Sequence, residues 1–157
     1  MKGALPATST RVQHSTDPHL NDRIRTDTDA RIARLEGAKP IEFQARLEEL
    51  DREWDIERVL QLNAAMFVML GAALGYAVDR RFLLLAAAVF TFFAQHALQG
   101  WCPPVPLFRR RGVRTMREIE RERYAVKALR GDFDGVPPPS SGERESRVRA
   151  ALAAVDR

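Results

Sequence analysis

Cysteine occurs once in the 157 residues, at Cys102, so the chain has no internal disulfide to lean on. A disulfide scaffold is excluded, and cysteine usage gives no sign of an oxidising compartment. Met1 to Leu20 contains no apolar stretch of 7–15 residues, so no secretory signal peptide is expected. The chain also lacks a Walker loop, a dinucleotide glycine fingerprint, an HExxH pair and a CxxC pair. No catalytic, metal-binding or cofactor-binding constellation is recognisable, and no enzyme activity or cofactor is expected. His96 has no companion ligands, because His14 and His19 lie far away in the N-terminal segment. Strands are hardly predicted, and no repeat of 20–50 residues is present.

Charge is the more informative absence. The chain carries 25 Lys+Arg and 21 Asp+Glu, a net +4. Only three of these, Asp79, Arg80 and Arg81, fall among the 50 residues from Val59 to Phe108. A well-mixed soluble domain does not segregate charge in this way.

Val59 to Val78 is 20 residues long, with only Gln61, Asn63 and Tyr76 bearing polar atoms. As a helix it spans roughly 30 Å, the thickness of a bilayer core. Residues 79–81 form a tight polar connector. Phe82 to Leu98 gives a second apolar helix of 17 residues, at the short end of the membrane-crossing range. Gly100 and the Pro103-Pro104-Val105-Pro106 run end it. Two such helices joined by three residues must be antiparallel neighbours. Ala64 to Val78 shows no polar face, as a soluble amphipathic helix would. Residues 59–99 therefore read as a transmembrane hairpin. The competing reading is a hairpin buried in a soluble obligate helical oligomer.

The flanks are helical and charged. Residues 1–40 read as a flexible, disordered N-terminal tail, with a short helix over 21–36 ended by Gly37 and Pro40. Phe43, Leu47, Leu50 and Trp54 then make an apolar stripe at helical spacing. The helix over 41–58 is amphipathic and carries seven acidic and three basic residues. No Pro or Gly separates it from Val59, so one continuous helix is expected to run into the membrane segment. Residues 100–130 comprise the Cys-Pro turn, a basic cluster and a helix opened by Thr115-x-x-Glu118, a capping-box pattern. Residues 131–157 read as a Pro/Gly linker and a weak terminal helix over 144–155. The expected fold is all-α: a membrane helical hairpin with a long amphipathic lead-in helix, a cytosolic C-terminal helix and disordered tails.

Orientation follows from basic residues near the membrane ends. Residues 43–58 hold three, residues 109–124 hold seven and the connector holds two. Both termini are expected in the cytoplasm and the 79–81 connector outside. Trp54 and Trp101 then fall at the cytoplasmic interface, and Tyr76 at the outer one.

Several residues are candidate sites. Gly71 and Gly75 form GxxxG, a flat groove where a second backbone can approach, either in a homodimer or within the hairpin. Gln61, Asn63, Gln95 and His96 lie at similar depth and are candidates for interhelical polar contacts. Cys102 is either a reactive thiol activated by nearby arginines or a small residue packed at the interface. Arg109, Arg110, Arg111 and Arg114 form a basic cluster suited to anionic headgroups, at about 1 kcal/mol per residue near the surface. Nucleic acid is not an expected partner, because that cluster follows a membrane helix directly.

Gly71–Gly75, Leu98-Gln-Gly-Trp-Cys-Pro, Leu107 and Gly112-Val-Arg-Thr115 together carry a resemblance. Over residues 55–118 the chain resembles the YgaP-like inner-membrane domain, a bacterial two-helix module of unknown function whose second helix ends in G-x-C-P. In some relatives that module anchors a rhodanese domain and mediates dimerisation. No rhodanese domain is present here, so sulfurtransferase activity does not carry over. The resemblance implies a bacterial inner-membrane anchor that dimerises. The charged helices over 41–58 and 115–130 are additions that the minimal module lacks; they are expected to recruit or brace another protein, with the lipid bilayer and a second copy as the other partners. The alternatives are a thiol or persulfide accessory protein using Cys102 and, last, a transporter subunit.

Overall fold

The computed structural model describes residues 5–138 and 144–156. These residues are mostly helical, with no strand among them. Eight α-helices run in order: α1 (Arg11–His14), α2 (Pro18–Ala33), α3 (Pro40–Arg52), α4 (Ile56–Ala77), α5 (Leu83–Gln99), α6 (Val105–Arg110), α7 (Met116–Arg130) and α8 (Arg144–Asp156). A single 3-10 turn, Arg80–Phe82, precedes α5. The contacts divide into two units, Met1–Asp27 with Trp54–Ile119, and Thr28–Glu53 with Glu120–Arg157.

The first unit is built on the α4–α5 hairpin. Asp79 turns the chain by accepting a hydrogen bond from the Arg81 amide at 2.7 Å. Gly100 closes α5 in the left-handed conformation, φ 76°, with its amide donating to the His96 carbonyl at 2.8 Å. Glycine adopts that conformation without the penalty of a side chain.

Gly71 and Gly75 are buried where the two helices cross. A Cβ at Gly71 would stand 3.1 Å from the Ala86 amide nitrogen and 3.2 Å from the Phe82 carbonyl oxygen. A Cβ at Gly75 would stand 2.6 Å from a Leu83 methyl. Of the two uses expected for the GxxxG face, close packing within the hairpin is the one observed. α5 of the same chain occupies that face, so it is not presented to a second copy.

The lead-in segment and the N-terminal segment both differ from expectation. The helix over 41–58 does not run on into α4. It stops at Arg52, Glu53 takes an extended conformation, and Asp55 caps a new helix by accepting from the Arg58 amide at 3.0 Å. The Ile56 amide donates to the Arg114 carbonyl at 2.8 Å rather than back to α3. An aspartate that satisfies helix-start amides competes with the helix interior, so the break needs neither Pro nor Gly. The second correction concerns the N-terminal segment. Residues 5–20 are ordered, with Val12 and Thr16 buried, and α2 begins at Pro18 instead of residue 21.

In the second unit α3 and the distal part of α7 lie side by side. Phe43, Leu47, Leu50 and Val126 are buried. Glu122, fully buried, accepts from Arg46 Nε at 2.9 Å and faces Arg31 Nε at 3.5 Å. Arg123 pairs with Asp51. The helix expected over 144–155 is present as α8. Of the expected linker, residues 131–135 form turns, 136–138 are irregular, and 139–143 lie outside the described residues.

Gly71→Ile is expected to splay the hairpin, because its side chain would meet backbone at 3.1–3.2 Å. Overpacking of this kind costs about 1–3 kcal/mol. The denaturation midpoint of the purified chain in mixed detergent should fall for Gly71→Ile and much less for the surface variant Ala72→Ile.

Candidate functional site

The polar groups of the first unit converge at one end of the hairpin, where α4 begins and α5 ends. Glu57, in the first turn of α4, holds two partners. Its Oε1 accepts from Arg11 Nη2 at 2.8 Å, and its Oε2 lies 2.9 Å from His96 Nε2. His96 is 2% exposed and its Nδ1 has no protein partner.

A second knot lies beside the first. Arg109 is 1% exposed and grips Glu118 with both arms, at 2.7 and 2.8 Å. The same guanidinium donates to the Val113 carbonyl at 3.0 Å and to Asn21 Oδ1 at 2.7 Å. Glu118 in turn accepts from the Thr115 amide at 2.8 Å, while the Glu118 amide donates to Thr115 Oγ1 at 3.3 Å. The capping box expected from Thr115-x-x-Glu118 is therefore formed, and its carboxylate also neutralises a buried arginine. Burial alone would raise the pKa of Glu118. The Arg109 fork, the Thr115 amide and the Gln13 side chain overcome that and hold it below the usual glutamate range.

The four arginines of the basic cluster separate. Arg109 and Arg114 are buried at the hairpin base, and only Arg110 and Arg111 are exposed. A buried, paired Arg109 is a structural cation and cannot serve a headgroup as expected.

The expected interhelical amides also separate. Asn63 donates to the Val59 carbonyl of its own helix at 2.8 Å. Gln61 is exposed and Gln95 half-buried, and neither makes a side-chain hydrogen bond among the described residues. His96 does bridge the two helices, but to Glu57, one turn below the level expected. The antiparallel register was readable from the sequence, since His96 had to face the start of α4. Glu57 precedes the apolar run, so the pattern of that run does not point to it. Arg11 carried no signal at all, because its partner is 46 positions away.

Cys102 packs in a cluster with Val12, Ile56, Leu60 and Val105. It is 8% exposed, and burial pushes its thiol pKa up. Of the arginines expected to activate it, Arg109 is committed to Glu118. A groove of about 390 Å³ runs up the hairpin from this point, lined by Leu60, Asn63, Phe67, Phe92, Phe93 and Cys102 among others. Its walls are almost wholly apolar, and the one titratable side chain among the lining residues is Cys102. Among the described residues no three His, Cys, Asp or Glu side chains group as a metal site.

Comparison with protein-family models, with curated proteins and with solved structures found no match for this chain.

Arg109→Ala is expected to cost about 3–5 kcal/mol, because it strands Glu118 in a largely buried site. Arg109→Lys should rescue it only in part, since an ammonium cannot reproduce the two-armed contact. Equilibrium unfolding of the purified variants checks both. The pH dependence has a definite sign. A carboxylate with a depressed folded pKa stabilises fully above its unfolded value, about 4.3. That contribution is lost as pH falls through the lower folded value. Glu118→Gln should therefore lower stability at neutral pH and flatten its loss in acid.

Proposed function

We propose that the chain is a two-pass membrane anchor that carries a charged helical unit at one membrane face. One observation supports this most: the two apolar helices are left bare. In the most apolar window of each candidate span only 17% and 6% of residues are covered by the chain itself. Met66, Met69, Leu70, Leu84 and Phe90 are each between 49% and 71% exposed. The core helix of a soluble protein would be mostly covered, and a signal sequence would lie near the N-terminus.

The orientation rests on the asymmetry of basic residues. The hairpin base and both flanks face the cytoplasm, and Arg80 and Arg81 face outside. The stack of Arg58 on Trp54, 4.2 Å from the ring centroid, suits the cytoplasmic headgroup level. The resemblance to the YgaP-like module fits the same placement in a bacterial inner membrane. The second unit, with Ile41, Tyr124 and Leu129 exposed, is the part available to recruit a protein partner. A second copy, if it docks in the membrane, must use a face other than Gly71 and Gly75. Thiol or persulfide chemistry at Cys102 is disfavoured by its burial and raised pKa.

Alkaline carbonate extraction of membranes from expressing cells should leave the chain in the pellet. Release into the supernatant would show that protein, not lipid, covers the hairpin. In a Cys102→Ser background, Arg81→Cys should react with an impermeant maleimide added to the periplasmic side. Labelling only after permeabilising the inner membrane would reverse the orientation.

A further inference from the structure

Residues 5–17 contribute nothing to the crossing of α4 and α5, yet they are fastened to the hairpin base at several points. The Arg11 guanidinium donates to Glu57 at 2.8 Å with one arm and to the Thr8 carbonyl at 3.0 Å with the other. Ser15 Oγ donates to the Gln99 carbonyl at 2.7 Å, satisfying an acceptor that the end of α5 leaves open. Gln13 donates to Glu118 at 3.0 Å. Gly100 lies where the segment crosses the end of α5, and a Cβ there would fall 2.3 Å from the Arg11 carbonyl carbon.

The anchoring is polar apart from one side chain. Val12, 4% exposed, is the only large apolar residue the segment buries, and it completes the cluster of Ile56, Leu60, Cys102 and Val105. Leu5 is 56% exposed. A segment with few buried apolar contacts sits at the low end of local opening free energies. The main ion pair is also built to part. When Arg11 leaves, Glu57 keeps His96 Nε2 at 2.9 Å, so no carboxylate is stranded.

We infer that residues 5–17 form a releasable strap over the apolar patch of Ile56, Leu60, Cys102 and Val105, with the Arg11–Glu57 ion pair as its catch. Opening withdraws Val12, leaves every hydrogen bond within α4 and α5 in place, and uncovers the patch together with the Cys102 thiol. The strap is thus a removable cover for the hairpin base. It holds whether the hairpin lies in lipid or against protein.

The thiol is the reporter for this opening. The full-length chain, purified in detergent, is treated with a water-soluble maleimide, and labelling of Cys102 is followed in time. Circular dichroism of each sample monitors the helices. Arg11→Ala is expected to label roughly 5- to 30-fold faster than wild type at unchanged helicity. Arg11→Lys should fall between the two. Ser15→Ala disturbs no charge and should also accelerate labelling, by less; it serves if the arginine variant does not fold. Equal labelling rates in wild type and the folded variants would overturn the strap. So would a wild-type rate whose urea dependence matches that of global unfolding.

Discussion

Two helices can shield only the strip along which they touch. Gly71 and Gly75 lie on that strip, where a Cβ at Gly71 would stand 3.1 Å from the Ala86 amide nitrogen and one at Gly75 would stand 2.6 Å from a Leu83 methyl. Beyond the hairpin base, most of the remaining surface of the two helices is apolar and uncovered, and this shortage of cover governs the rest of the chain. Burial of apolar area in water stabilises at about 25 cal/mol per Å², so the bare faces must find lipid or protein. In lipid the same faces need no further partner, and the helices hold by close packing of small residues.

The flanks show the complementary consequence. With so many apolar residues committed to the hairpin, the charged segments have little from which to build a core. Both units compensate with buried arginine–carboxylate knots. Arg109 and Glu118 tie α6, the start of α7 and Asn21 together. Arg46 and Arg31 meet at the buried Glu122 in the second unit. Taking such charges out of water is costly, and the geometry must repay it. Arg109 achieves this with four hydrogen bonds to three acceptor residues. Such knots specify which segments meet more sharply than aliphatic contacts would, because a displaced partner leaves a buried charge unpaired.

The parts of this arrangement that were legible in the sequence are those set by local rules. The hairpin limits followed from the run of uncharged residues and from Asp79, Gly100 and Pro103. The start of α7 followed from Thr115 and Glu118. The break between α3 and α4 has no clear local signal, because Asp55, which caps α4, stands among so many charges that it reads as one more on a helix face. The role of residues 5–17 was not legible, since composition alone made them a tail. Their order comes from Arg11 meeting Glu57 and Ser15 meeting Gln99, pairings that no local spacing announces. The GxxxG face was readable as a contact, but its partner was not, since either a neighbouring chain or α5 satisfies the same pattern.

A membrane anchor requires that the outer faces of α4 and α5 touch lipid. That contact is tested most directly by moving tryptophan to one of those faces. Trp54 and Trp101 are replaced by Phe, Phe90, 60% exposed, is replaced by Trp, and the chain is reconstituted with lipids brominated along the acyl chain. Contact with lipid predicts strong quenching of the new tryptophan by the brominated lipid. Fluorescence that stays the same in brominated and ordinary lipid would contradict it, and would mean that protein covers the hairpin.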